Sequence, residues 1–241
     1  MKIAVLLLAC LSFAVAAHAQ QTLVFSTESY PPFSYRELGG NYRGVGVDQV
    51  EIIMRDTGTP YTLEIMPWAR AIAMAETQAT HCVFAAARTP EREPRFKWVV
   101  PLFVDRSILV RHAGSKVTAA TLDEAKQYTV GTHRADYTEG LLKGFGFPKI
   151  DLSADVDTTL RKLLQDRIDM MTMSEGVFEK LKTAGMPVEK VVLFSEQHLG
   201  IACHLDVPDE LIASMQASLD RLIKDGVQNA ILKRYGIGEA Q

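Results

Sequence analysis

Short apolar runs alternate with amphipathic, capped segments along this chain, and that alternation leaves few folds open. A strand alternates its apolar residues or is apolar throughout, whereas a helix repeats them every three to four residues. Thr22 to Ser26, Tyr61 to Ile65, Val83 to Ala87 and Ser107 to Val110 read as strands. So do Thr129 to Gly131, Ile168 to Met171, Val191 to Phe194 and Leu199 to Cys203. Between them lie helix signals. Asp48 with Glu51, Thr121 with Glu124 and Asp136 with Glu139 have capping-box spacing, and Gly58 stops the first of these helices. Pro67-Trp68 opens a further helix to about Gln78, Ser174 caps one that ends at Gly185, and Pro208 precedes a long one carrying Leu211, Met215, Leu219 and Leu222 on one face. Strands alternating with helices imply α/β architecture.

The first nineteen residues read as an export signal. Lys2 precedes an apolar run from Ile3 to Val15, and Ala17-His18-Ala19 offers the small residues of a cleavage site. Leu7 to Cys10 faintly resembles a lipoprotein box, but apolar residues continue well past Cys10. No later stretch reaches the roughly 18 apolar residues of a membrane helix, so a soluble, exported protein is expected. A formal net charge of −3, with acids and bases interspersed, argues against nucleic acid as a partner. Past the leader only Cys82 and Cys203 remain. They could be buried thiols, a single disulfide or, with the adjoining His81 and His204, part of a zinc site. Adjacent residues of a strand point to opposite faces, which disfavours the metal.

Several local strings, in order, resemble the bacterial periplasmic solute-binding proteins that serve polar amino acid uptake, solute-binding family 3. They include Glu28 to Phe33, Gly44 to Asp48, Arg88-Thr89-Pro90-Glu91-Arg92 with Phe96-Lys97-Trp98, Gly144 to Phe147, Leu163 to Asp169, and Ile231 to Gly236. The resemblance implies a type II periplasmic binding-protein fold, two α/β lobes with mixed five-stranded sheets joined by two crossing strands. Lobe one would comprise residues 20–109 and 202–241, and lobe two residues 110–201, with crossings at Ser107 to Arg111 and Leu199 to Cys203. Cys82 and Cys203 would then lie in neighbouring strands of lobe one. The implied function is to close over a small carboxylate-bearing, anionic or zwitterionic molecule and deliver it to a membrane ABC permease. The implied protein is a periplasmic monomer without cofactor, metal or catalysis. A dehydratase-like enzyme on the same fold, drawing on Glu28, Glu175 or His133, and a ligand-sensing module for a membrane partner are the alternatives.

By the same resemblance Arg92 clamps the ligand carboxylate, because a planar guanidinium matches a carboxylate through two parallel bonds. Arg88 would be a second cleft cation or a partner for a nearby acid. Tyr30, Phe33 and Trp68 would form aromatic walls, and Glu28 an acid at the rim. Ala87 lies just before the Thr-Pro-Glu-Arg segment, while Tyr137 and Thr138 begin a helix whose N–H groups favour anions. Two departures stand out. Ala85, Ala86 and Ala87 occupy positions where such binders often place serine or threonine. Ser174 stands where they commonly carry an aspartate for the ligand ammonium, leaving Glu28 or Glu175 as substitutes.

Overall fold

The computed structural model describes residues 22–238. The export signal, Cys10 and the cleavage point near Ala19 lie outside the described residues. From the start of the described chain, β1 (Leu23–Thr27) leads through a small hairpin of β2 (Tyr35–Arg36) and β3 (Tyr42–Arg43) to α1 (Val45–Thr57). Then come β4 (Tyr61–Ile65), α2 (Trp68–Thr77) and β5 (His81–Ala87). A single long strand, β6 (Lys97–His112), follows, then α3 (Leu122–Ala125), β7 (Val130–His133), α4 (Tyr137–Gly144), β8 (Ile150–Ser153), α5 (Val156–Leu164), β9 (Met170–Ser174) and α6 (Glu175–Thr183). The chain returns along β10 (Val188–Cys203) and ends in α7 (Asp209–Lys224) and α8 (Val227–Arg234).

The strands are ordered β4-β1-β5-β10-β6-β9-β7-β8. Parallel pairs lie at both ends, and β6 and β10 run antiparallel down the middle from Lys97 beside Cys203 to His112 beside Val188. β5 joins β10 only along Leu199–Cys203, and β9 joins β6 only along Ser107–Arg111. Each half of the sheet therefore has five strands, two of them shared. The expected separate runs are one strand each. Partners change around Val104–Arg106 on β6 and Glu196–His198 on β10, so the connection between the halves lies there rather than at the expected crossings.

Apolar faces position the helices. In the first half Phe25, Phe84 and Phe103 pack with Val50, Ile53 and Met54 of α1, and with Met215, Leu219 and Leu222 of α7. In the second half Leu109, Val130, Leu142, Phe147, Met170 and Phe194 form a separate cluster.

Two helix starts differ from expectation for identifiable reasons. α1 begins at Val45, three residues before Asp48, because loop carbonyls already satisfy its first N–H groups. Val45 N donates to Pro32 O (3.0 Å) and Gly46 N to Phe33 O (2.9 Å). Gly44 makes this approach feasible: its φ is 131°, and a Cβ there would lie 2.3 Å from Phe33 O. Asp48 instead accepts bonds from Tyr235 Oη and Arg234 Nη1, each 3.1 Å. Ser174 does precede α6, but its hydroxyl caps nothing there and turns to Asp105.

Cys82 and Cys203 are register partners across β5 and β10 and form a disulfide, with Cα atoms 3.9 Å apart. The bond consumes both thiols that a zinc site would have needed. No helix among the described residues is long and apolar enough to cross a membrane.

Candidate functional site

The ends of β1 and β5 in one half face the ends of β7 and β9 in the other. Between them lies a cavity of about 50 Å³, lined by Glu28, Tyr30, Trp68, Ala85, Ala87, Asp105, Ser107, His133, Tyr137, Thr138, Thr172 and Ser174 among others. A smaller space of about 30 Å³ opens beside it, towards Phe33 and Phe103. Seven of the residues singled out by sequence, Glu28, Tyr30, Trp68, Ala87, Tyr137, Thr138 and Ser174, thus meet in one place.

Four side chains of the first half reach across. Trp68 Nε1 donates to Ala135 O (2.9 Å), and Arg92 Nη2 donates to the same carbonyl (2.7 Å). Tyr30 Oη accepts from Ser174 N (2.9 Å), and Glu28 lies 3.2 Å from His133 Nε2. The two halves are closed on one another. Ala135, the shared acceptor, has a φ of 62°, a left-handed conformation that costs an alanine roughly 1 kcal/mol or more.

Arg92 is 5 % exposed, and its guanidinium carbon lies 5.6 Å from the centre of the Trp68 ring. It also donates weakly to Ala87 O (3.4 Å), yet no carboxylate pairs with it among the described residues. Burial lowers its pKa, and the nearby Asp136 carboxylate works in the opposite direction. It does not line the small cavity. Instead it faces a larger groove of about 650 Å³, and the two spaces share Asp136 and Tyr137 as walls.

Of the two roles expected for Arg88, partner of a nearby acid is the one seen: it is about 40 % exposed, outside the cleft, and bonds to Glu93 through Nε (2.6 Å) and Nη2 (2.5 Å). The strand ends at Ala87, and the following turn carries Arg88 outward. Phe33 is also less exposed to the cleft than a wall residue would be. It stacks on Phe103 at 4.7 Å and belongs to the core, touching the side space but not the cavity beside it.

The second half presents small hydroxyls. Thr138 Oγ1 lies 2.6 Å from Thr132 Oγ1 and 3.1 Å from Thr172 Oγ1, while Asp136 caps α4 by accepting from Thr138 N (2.9 Å). Tyr137 Oη lies 2.6 Å from Ser107 Oγ. In the first half Ala85 has a φ of 58° and is skipped in the register between β5 and β10. This bulge turns it into the cavity, while Ala86 packs in the core.

Two cavity groups were weighed lightly or missed. Burial alone would lower the pKa of His133, but the Glu28 and Asp136 carboxylates overcome this and raise it to about 9. The imidazole therefore carries charge at neutral pH. Asp105, on the β6 connection, is 8 % exposed, and burial raises its pKa to about 6 against the bond from Ser174. The sequence signal was an acid amid the apolar residues from Val99 to Val110, which reads equally well as a residue on a solvated strand face.

Similarity to known proteins agrees with this architecture. The L-cystine-binding protein TcyJ of Escherichia coli (strain K12) is 22 % identical over 219 residues, covering 89 % of this chain and 82 % of that protein. The arginine-, lysine-, histidine-binding protein ArtJ of Geobacillus stearothermophilus superposes with a TM-score of 0.81 at 21 % identity, over 92 % of this chain and 97 % of that one. A histidine kinase sensor domain with similarity to periplasmic binding proteins superposes with a TM-score of 0.82 at 18 % identity, over 90 % and 96 %. The family model of the bacterial extracellular solute-binding proteins, family 3, matches residues 23–239, and the chain belongs to that family.

Proposed function

We propose that this protein is a periplasmic receptor that closes two lobes over a small zwitterionic solute of the amino-acid class and hands it to an ABC permease. On this reading residues 1–19 are removed near Ala19 and the mature chain works as a monomer without turnover. Lobe one is the half carrying β1, β4 and β5, lobe two the half carrying β7, β8 and β9. The observation that carries the reading is Arg92, a buried guanidinium with no carboxylate partner among the described residues, held at the closing seam by a backbone carbonyl. A ligand carboxylate in place of Ala135 O would convert a neutral contact into a bidentate, charge-assisted one. Tyr30 and Trp68 would enclose the ligand's apolar part, with Glu28, Ala87, Tyr137, Thr138 and Ser174 completing its shell. The names of the relatives, binders of cystine and of arginine, lysine and histidine, point to the same ligand class.

The test is thermal denaturation of the purified protein with each of the twenty standard L-amino acids and L-cystine. One or a few should raise the melting temperature, with compaction in X-ray scattering and recovery of the ligand unchanged. A panel that gives no shift argues against the reading. One observation favours catalysis as a second reading: the Glu28–His133 pair lines the cavity and could exchange a proton. Chemical conversion of a bound panel compound, seen by mass spectrometry, would establish it.

A further inference from the structure

Resting on the amino-acid reading, the structure also assigns a partner for the ligand's positive end. Glu28, Asp136, Glu175 and Asp105 are the carboxylates in or beside the cavity. Glu28 and Asp136 face His133 (3.2 and 3.9 Å), and Glu175 pairs with Lys190 and with Arg106 (3.3 Å). Only Asp105 has no cation among the described residues. Its bonds come from two hydroxyls, Ser174 Oγ and Ser107 Oγ (3.5 Å), and it lines both the cavity and the adjoining side space. A buried carboxylate held by hydroxyls alone is poorly compensated, and a cation brought beside it gains strongly.

We propose that Asp105 supplies the counter-charge for a protonated amine of the solute. Ser174, at the end of the adjacent strand β9, donates to this carboxylate and orients it towards the cavity. Asp105 and Arg92 then form the two poles of one site, with Tyr137 neighbouring both.

The test compares each binding amino acid with the same compound lacking its amino group, such as L-cystine with dithiodipropionate or L-glutamine with glutaramate. Wild-type protein should prefer the amine by about 100-fold in calorimetric Kd, and D105N should cut that preference to about threefold or less. The exchange variant D105S/S174D, which places the carboxylate at the neighbouring end of β9, should restore most of it. Preference retained in D105N overturns the assignment alone, as does a folded exchange variant with no preference for the amine. Binding of neither compound of any pair to wild-type protein overturns the amino-acid reading as well.

Discussion

The two halves contribute different chemistry to the cavity. The half built on β1, β4 and β5 sends long aromatic and charged side chains across the cleft: Glu28, Tyr30, Trp68 and Arg92. The half built on β7, β8 and β9 answers mainly with short groups, the Ala135 carbonyl, the Ser174 amide and the hydroxyls of Thr138 and Thr172, beside two larger side chains, His133 and Tyr137. One half reaches and the other receives. Long side chains can exchange partners without moving their backbone, whereas a carbonyl or amide is part of that backbone. Adaptation to a ligand therefore belongs to the first half and precise placement to the second.

The largest expected effect falls on stability rather than on the ligand. The Cys82–Cys203 disulfide sits wholly in the first half, yet its loop of 121 residues encloses the entire second half. Loop-closure entropy for that length predicts that C82S/C203S loses about 5 kcal/mol, measured by urea unfolding. The rank order of ligands should not change, because neither cysteine lines the cavity. A changed order would mean that the strap tunes the site and would blur the division between the halves.

Next in size is Arg92→Ala. Losing a buried cation from the reaching half should cost about 2–4 kcal/mol of binding to any carboxylate-bearing ligand, by calorimetry. Unliganded stability should move much less, since the guanidinium makes only neutral contacts. Equal affinity in the variant would remove Arg92 from the site.

These two residues also show what the sequence made legible. The family resemblance of the Thr-Pro-Glu-Arg string pointed to Arg92, which lies buried at the seam, and the strings and helix starts at Tyr30, Trp68 and Tyr137 pointed to residues that line the cavity. Arg88 stands in the same string but beyond the end of β5, and of its two expected roles the pairing with an acid is the one realised. Asp105 was missed because its role depends on β6 continuing unbroken past Pro101 and pairing with β9 from Ser107 onward. Long-range pairing of that kind leaves no local pattern. The capping spacing at Asp48 was genuine but outcompeted by carbonyls of a loop that approaches through Gly44.

A smaller effect should have the opposite sign. Asp105 binds its proton more tightly in the folded protein than in the unfolded chain, with a folded pKa of about 6 against an ordinary 3.8. The folded state holds more protons between those values, so unliganded stability falls as pH rises from 3.8 through about 6. Its surroundings reinforce this: Asp136 and Glu175 are both acidic, and Tyr30 and Tyr137 are neutral phenols whose ionisation burial opposes. D105N should abolish that step and gain about 2 kcal/mol at pH 7.5. His133 gives a separate step across the cleft. Its contribution is complete below 6.5 and is lost as pH rises through about 9, and D105N should leave it in place.

The smallest effect tests whether the receiving half is set by local capping. Asp155 caps α5 through a 2.7 Å bond from Thr158 N, and the next residue, Val156, lines the cavity. Removing the cap leaves an orphan donor in the first turn, so Asp155→Ala should lose about 1 kcal/mol in urea unfolding. Among the described residues, α1, α2, α7 and α8 of the first half start without a side-chain cap to delete. If the receiving half contributes only placement, the fraying should weaken every ligand by the same small factor. Selective loss for one ligand would mean that Val156 reads the solute's shape, giving the second half a share of the discrimination assigned here to the first.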